Sequence, residues 1–191
     1  MKLHLGCGPI YLKGYVNVDA ACDMVATLAP TAWLETNTTT FDNYYRYQFG
    51  EGGKHTVADV IGRFPPLPFD SESADEIVMM HVLEHFPQYE VGIVIDEICR
   101  VLKPSGSFVV GVPDTKLMAK GLAEAETDED EDWWIRCLYG TQKNRYSHHY
   151  CGHTPRTLRA LLSEHGFVRF DDMPNINCYP AIHIRAWKEQ V

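Results

Sequence analysis

Lys2-Leu3-His4-Leu5-Gly6-Cys7-Gly8-Pro9 opens the chain, and Gly14-Tyr15-Val16-Asn17-Val18-Asp19 follows after a brief connection. The first stretch reads as a short apolar strand over Lys2–Leu5 that ends in a glycine turn. The second reads as a strand over residues 15–18 that closes on a carboxylate. Glycines at such a turn let the main chain approach a nucleotide-like ligand without a side-chain clash, and an acid at the end of the neighbouring strand can accept hydrogen bonds from both ribose hydroxyls. The connection is too short for a full crossover helix, which takes about a dozen residues. Taken alone, the same glycines also fit a tight turn that needs positive φ.

Working outward, short apolar runs alternate with longer helical patterns, the signal for a wound α/β fold. A third strand is expected around residues 56–60, a fully buried one over Ala74–Met80, and another over residues 107–112. A helix over residues 89–102 carries Val91, Ile95, Ile98, Val101 and Leu102 on one face and stops at Lys103-Pro104-Ser105-Gly106. A second helix starts at Thr154 as N-cap, with Pro155 in the first helical position, and runs to about His165 with Leu158, Leu161 and Leu162 as its stripe. Residues 168–170 and 181–187 complete the sheet as an antiparallel edge pair.

At 191 residues and 45% hydrophobic content the chain buries one sizeable core, and we read residues 1–191 as a single domain. Two insertions interrupt it, at about 28–55 and 114–153. The first holds Trp33, Phe41, Tyr44, Tyr45, Tyr47 and Phe49 without any sustained period, as either a lid or a surface loop with buried aromatic anchors. The second contains an acidic run, residues 124–132, that reads as a solvated face or mobile loop. A net charge of -9 and a pI near 5.4 make a polyanionic backbone a poor partner, so nucleic-acid binding is not expected. Six scattered cysteines form no C-x-x-C pair and follow no signal peptide, which points to a reduced, cytoplasmic setting. No run reaches the roughly 18 to 20 apolar residues of a membrane span.

A pyrophosphate cofactor asks for more than this turn offers. The dinucleotide fingerprint wants a third glycine where Tyr11 stands, followed at once by a helix N-terminus. A cofactor without phosphate removes both requirements, and S-adenosylmethionine is one. An NAD-linked oxidoreductase is therefore the weaker alternative.

Leu3-His4-Leu5-Gly6-Cys7-Gly8-Pro9, Gly14-Tyr15-Val16-Asn17-Val18-Asp19, Leu67-Pro68-Phe69, Asp75-Glu76-Ile77, His81-Val82-Leu83-Glu84-His85 and Arg100-Val101-Leu102-Lys103-Pro104-Ser105-Gly106 together resemble the class I S-adenosylmethionine-dependent methyltransferases of the type 11 group, in that family's order. The resemblance reaches on through the leucine helix that ends in Gly166-Phe167. It implies a Rossmann-like, mostly parallel seven-stranded sheet flanked by helices, with an antiparallel edge strand. It also implies that Gly6, Cys7 and Gly8 line the methionine and ribose side of the cofactor, that Asp19 holds the ribose hydroxyls, and that Asp59 faces the adenine amino group. His81 would sit at the carboxyl end of the fourth strand, where such sheets place ligands. His4 departs from the pattern, since many relatives carry an acidic residue there.

His81-Val82-Leu83-Glu84-His85 has a rival reading, because H-x-x-E-H is also the zinc motif of inverted zincins. That motif belongs inside a long helix, whereas here a buried strand runs into His81 and Pro87 interrupts soon after. The cluster Ser147-His148-His149-Tyr150-Cys151-Gly152-His153 has metal-ligand residue types without a recognised spacing, so no metal is expected. With Tyr139-Gly140-Thr141-Gln142 upstream it resembles the substrate-side insertion of some of these methyltransferases, and His149 matches that family's recurring histidine.

The expected reaction is methyl transfer from S-adenosylmethionine to a small-molecule or sugar acceptor, with S-adenosylhomocysteine as product. Such an in-line displacement needs alignment more than acid–base machinery. If a base assists, Asp114, His81 and His149 are the candidates. The rival from another class is a non-catalytic module that binds S-adenosylmethionine.

Overall fold

Every residue from Ile77 to Met80 is at most 5% exposed, so this strand has both faces covered, as its unbroken apolar run requires. In the computed structural model, which describes residues 1–21, 24–29, 34, 38–44, 56–175 and 179–190, it lies at the centre of a seven-stranded sheet. The strands in chain order are β1 (Lys2–Leu5), β2 (Tyr11–Leu12), β3 (Val16–Asp19), β4 (Met24–Val25), β5 (Thr38–Thr39), β6 (Val57–Ala58), β7 (Val60–Ile61), β8 (Ala74–Met80), β9 (Leu102–Pro113), β10 (Phe167–Asp172) and β11 (Ala181–Lys188). The helices are α1 (Gln88–Val101), α2 (Thr115–Ala123), α3 (Asp128–Tyr139) and α4 (Pro155–Glu164). The sheet order is β10-β11-β9-β8-β1-β3-β7. Only β11 breaks the parallel pattern, running antiparallel to both β9 and β10.

The two faces are covered by different means. Val91, Val94, Ile95 and Ile98 of α1 and Leu158 and Leu162 of α4 pack with Leu3, Leu5, Ile77, Met79, Phe108 and Val110. Two amphipathic helices thus close one side, each by its 3.6-residue stripe. On the other side Val78, Met80 and Val109 meet Ile10, Leu12 and Tyr44. That cover comes from irregular chain and from two-residue ladders, β2 with β5 and β4 with β6.

The link between β1 and β3 is as helix-free as its length demands. A buried polar network holds it instead. Asn17 Oδ1 accepts from Leu12 N (2.8 Å), its Nδ2 donates to the Leu12 and Tyr15 carbonyls (3.2 Å each), and His4 Nδ1 lies 2.8 Å from Asn17 Oδ1. His4 Nε2 reaches Tyr44 Oη at 2.6 Å. The groups that a crossover helix would have satisfied internally are thereby paired by one asparagine.

Some boundaries differ from the sequence expectation. The third strand is split into β6 and β7 around Asp59, whose N–H bonds Asn17 O (2.8 Å). Most of the acidic run is an exposed helix face, the first of the two alternatives: Thr127 caps α3, accepting from Asp130 N at 3.1 Å, and Asp128, Glu129, Asp130 and Glu131 fill the first turn. Carboxylates are favoured there by the positive end of the helix dipole. Thr154 does cap α4, in a reciprocal box with Thr157. Of the aromatic residues in the first insertion, Tyr44 is a buried anchor at 3% exposure and Phe41 packs edge-on to it. Trp33, Tyr45, Tyr47 and Phe49 lie outside the described residues, as do Cys22 and Cys178. Among the described residues no helix is long and apolar enough to cross a membrane.

Candidate functional site

At the carboxyl ends of β1, β3 and β8 the sheet opens into a cleft of about 480 Å³, whose walls include Gly6, Asp19, Phe64, His81, His85 and Phe86. A volume of this size suits a small-molecule or cofactor site. A more open depression of about 630 Å³ lies around Tyr11, Lys13, Tyr15 and Thr38. None of the strand-end carboxylates or histidines lines it.

The glycine turn is built by the neighbouring strand. Gly6 N and Cys7 N both donate to Val18 O, at 2.8 and 3.1 Å, which bends the chain into left-handed backbone at Gly6 (φ 64°) and Gly8 (φ 52°). A Cβ at Gly6 would overlap the Val82 side chain, while one at Gly8 would meet nothing within 4 Å. Gly6 is therefore required by the fold, and Gly8 leaves open space beside the backbone. Gly8 N donates to Asp19 Oδ2 (2.8 Å), and Asp19 Oδ1 accepts from Ala21 N (2.8 Å). The carboxylate is thus fixed by two backbone groups, with acceptor capacity left over for a ligand. Cys7 is 1% exposed and its thiol donates to Val57 O, 3.6 Å away.

His81 directly follows β8. Its N–H bonds Gly111 O at 2.8 Å, and its backbone is left-handed (φ 56°), a conformation that costs a non-glycine residue about 1–3 kcal/mol and collects at ligand sites. The ring is held between Tyr179, whose hydroxyl lies 3.1 Å from Nδ1, and Glu84 Oε1 at 3.4 Å. Leu83–His85 form a single 3-10 turn, not the long helix that an inverted zincin motif would need. Glu84 is 1% exposed. Burial pushes its carboxyl pKa up, but His81, His85 and His149 outweigh this and hold it below the ordinary value.

The other expected site residues are placed differently. Asp59, assigned to an adenine amino group, has its oxygens occupied by Tyr11 Oη (2.6 Å), Asn17 N (2.7 Å) and Asn17 Nδ2 (3.2 Å). These contacts hold the link between β1 and β3. Asp114, a candidate base, is 6% exposed and caps α2, its Oδ1 accepting from Lys116 N (3.0 Å) and Leu117 N (3.1 Å). That oxygen serves the helix end. His149 lies against His85, with ring centres 5.0 Å apart, and burial lowers its pKa.

Three cleft residues gave no signal in the sequence. Arg63 and Arg145 both donate to Tyr146 Oη, at 3.0 and 2.7 Å, with guanidinium carbons 5.6 and 4.7 Å from its ring centre. The Arg63 hydrogen bond, helped by Arg145, holds the phenol pKa below its ordinary value. All three line the cleft. Exposed polar residues far apart in sequence carry no periodicity that would mark such a group.

A parallel sheet with one antiparallel edge partner, a left-handed glycine turn after its first strand and a carboxylate at the end of the next define a Rossmann-like protein with a cleft at the strand ends, where such sheets place ligands. The family described as methyltransferase domain matches residues 6–169. The chain belongs to that family, and its sheet is that of the class I methyltransferases. No curated protein matches it. Similar solved structures include a possible histamine N-methyltransferase from Thermotoga maritima (15% identity, TM-score 0.54, covering 98% of this chain and 82% of that one). A SAM-dependent methyltransferase from Methanosarcina mazei is also similar (18%, 0.53, 100% and 92%). So is a chain of the complex between the Haloferax volcanii Trm112 methyltransferase activator and a putative methyltransferase (12%, 0.57, 100% and 82%). At these identities the likeness is one of fold.

Proposed function

We propose that this chain transfers a methyl group from S-adenosylmethionine to a small-molecule acceptor and releases S-adenosylhomocysteine. The observation that carries the reading is the Gly6–Gly8 turn with Asp19 pinned beside it at the mouth of the cleft. Bound S-adenosylmethionine supplies a methyl carbon made electrophilic by its sulfonium. Asp19 accepts the ribose hydroxyls with the acceptor sites that Gly8 and Ala21 leave unfilled. Gly8 lets the ligand lie against the main chain. Phe64 and Phe86, with ring centres 5.6 Å apart, give the cleft an apolar wall that excludes water. His81, steadied by Tyr179 and Glu84, orients the acceptor, which is the main task of the protein in an in-line displacement.

Titration calorimetry with S-adenosylhomocysteine tests the cofactor half. Asp19→Ala should weaken binding by the worth of hydrogen bonds to a charged group, about 1.5–3 kcal/mol, or about 10- to 150-fold. Unchanged affinity would refute the assignment. A methyl-release screen over hydroxyl- and amine-bearing small molecules then separates an enzyme from a module that only binds the cofactor.

A further inference from the structure

Behind the wall of the cleft, Glu84 and His85 meet His149, which arrives from the second insertion. One potential ligand atom from each of the three lies within 4.8 Å of the others. We propose that Glu84, His85 and His149 form a binding site for one divalent metal ion of the zinc type.

The clearest sign is the state of the Glu84 carboxylate. It is buried, and neither oxygen has a hydrogen-bond partner among the described residues. His81 Nδ1 approaches Oε1 at 3.4 Å as an ion pair. Buried carboxylates are paired, hydrogen-bonded or bound to a metal; the His81 contact pairs one oxygen, and a bound ion would engage both oxygens' neighbours His85 and His149 as well. The His85 imidazole is prepared for that role. His85 Nδ1 lies 2.8 Å from the carbonyl of His148, and because a carbonyl only accepts, Nδ1 is the donor, the tautomer whose neutral ring presents its lone pair at Nε2. Imidazoles that ligate metals are regularly oriented in this way, with the second ring nitrogen donating to a backbone carbonyl.

Two histidines and one glutamate make a zinc donor set with a fourth position left open. Ligand atoms in a tetrahedral zinc site stand roughly 3.3 Å apart, so the ion would draw the three side chains inward by about an ångström or more. His85 also forms part of the cleft wall, which places the ion next to the acceptor side. This inference does not rest on the methyl-transfer reading, since binding of the ion is measured without turnover.

The test uses untagged full-length protein stripped with a chelator, zinc titration by calorimetry, and cobalt as a spectroscopic probe. The proposal requires one zinc per chain and a visible cobalt band of tetrahedral intensity. Glu84→Gln and His149→Gln should each weaken zinc binding at least a hundredfold. His165→Gln, at a histidine paired with Asp96 2.6 Å away, should leave it unchanged. Circular dichroism on the same samples reports folding; if one variant fails to fold, the other decides. Less than one equivalent of zinc bound at micromolar concentration, or a folded Glu84→Gln protein that binds zinc like the parent, overturns the proposal. Titrating the same samples with S-adenosylhomocysteine shows separately whether the cofactor site stands.

Discussion

His4 makes the protein lose stability in mild acid, by an amount the structure allows to be worked out. The imidazole is 0% exposed in the middle of the sheet, between Asn17 and Tyr44. Burial pushes its pKa down to about 4, against the opposing pull of the Asn17 hydrogen bond and the Asp19 charge. In the unfolded chain it returns to 6.5. Between those two values the unfolded state binds more protons than the folded one, so stability falls as pH drops through 6.5 and goes on falling until about pH 4. The gap corresponds to roughly 3 kcal/mol in full, of which about 2 kcal/mol is lost between pH 7.5 and 5.0. That is a large share of the roughly 5–15 kcal/mol typical of a domain. Urea denaturation of the parent and of His4→Gln at both pH values isolates the effect, because the other histidines are common to both chains. The variant should be the less stable at pH 7.5, having lost bonds to Asn17 or Tyr44, and the difference should shrink by about 2 kcal/mol at pH 5.0. A difference that stays constant over this range would refute the buried, neutral histidine.

Two further substitutions probe the cleft and the opposite end of the sheet. Gly8→Val places a β-branched residue at φ 52° and fills the open side of the turn, so the protein should fold with a loss of about 1–3 kcal/mol and no longer bind S-adenosylhomocysteine; normal binding would put the site elsewhere. Arg185→Met removes the guanidinium whose Nη1 lies 2.6 Å from Glu76 Oε2, leaving a 6% exposed carboxylate to Tyr15, Ser107 and Lys2. Stability at pH 7 should drop by about 1.5–3 kcal/mol. Burial raises the Glu76 pKa, but Tyr15, Arg185 and Lys2 together bring it below 4.5, so the parent's advantage should fade as pH falls through that carboxyl's folded-state value. An advantage independent of pH would mean that Arg185 acts through packing alone.

The sequence by itself determined the elements whose causes are local. The unbroken apolar run of Ala74–Met80, the stripe of α1, the Thr154-Pro155 start of α4 and the glycine turn before Asp19 each follow from neighbours a few residues apart. The shortness of the link between β1 and β3 likewise ruled out a helix there. The tertiary structure decided how polar side chains are used, because a carboxylate or imidazole takes its role from whichever groups the fold brings beside it. The family resemblance implies a ligand role for Asp59, and its place after a strand end makes Asp114 a candidate base. In the folded protein their oxygens meet Tyr11 and Asn17 in one case and the N-terminus of α2 in the other. His149 lay in a histidine run of no recognised spacing, and only the path of the second insertion carries it to Glu84 and His85. Period and spacing report on residues within about a turn of helix or a strand of one another. Contacts such as that of His85 with the carbonyl of His148, 63 residues away, exist only once the sheet has set the ends of its strands side by side.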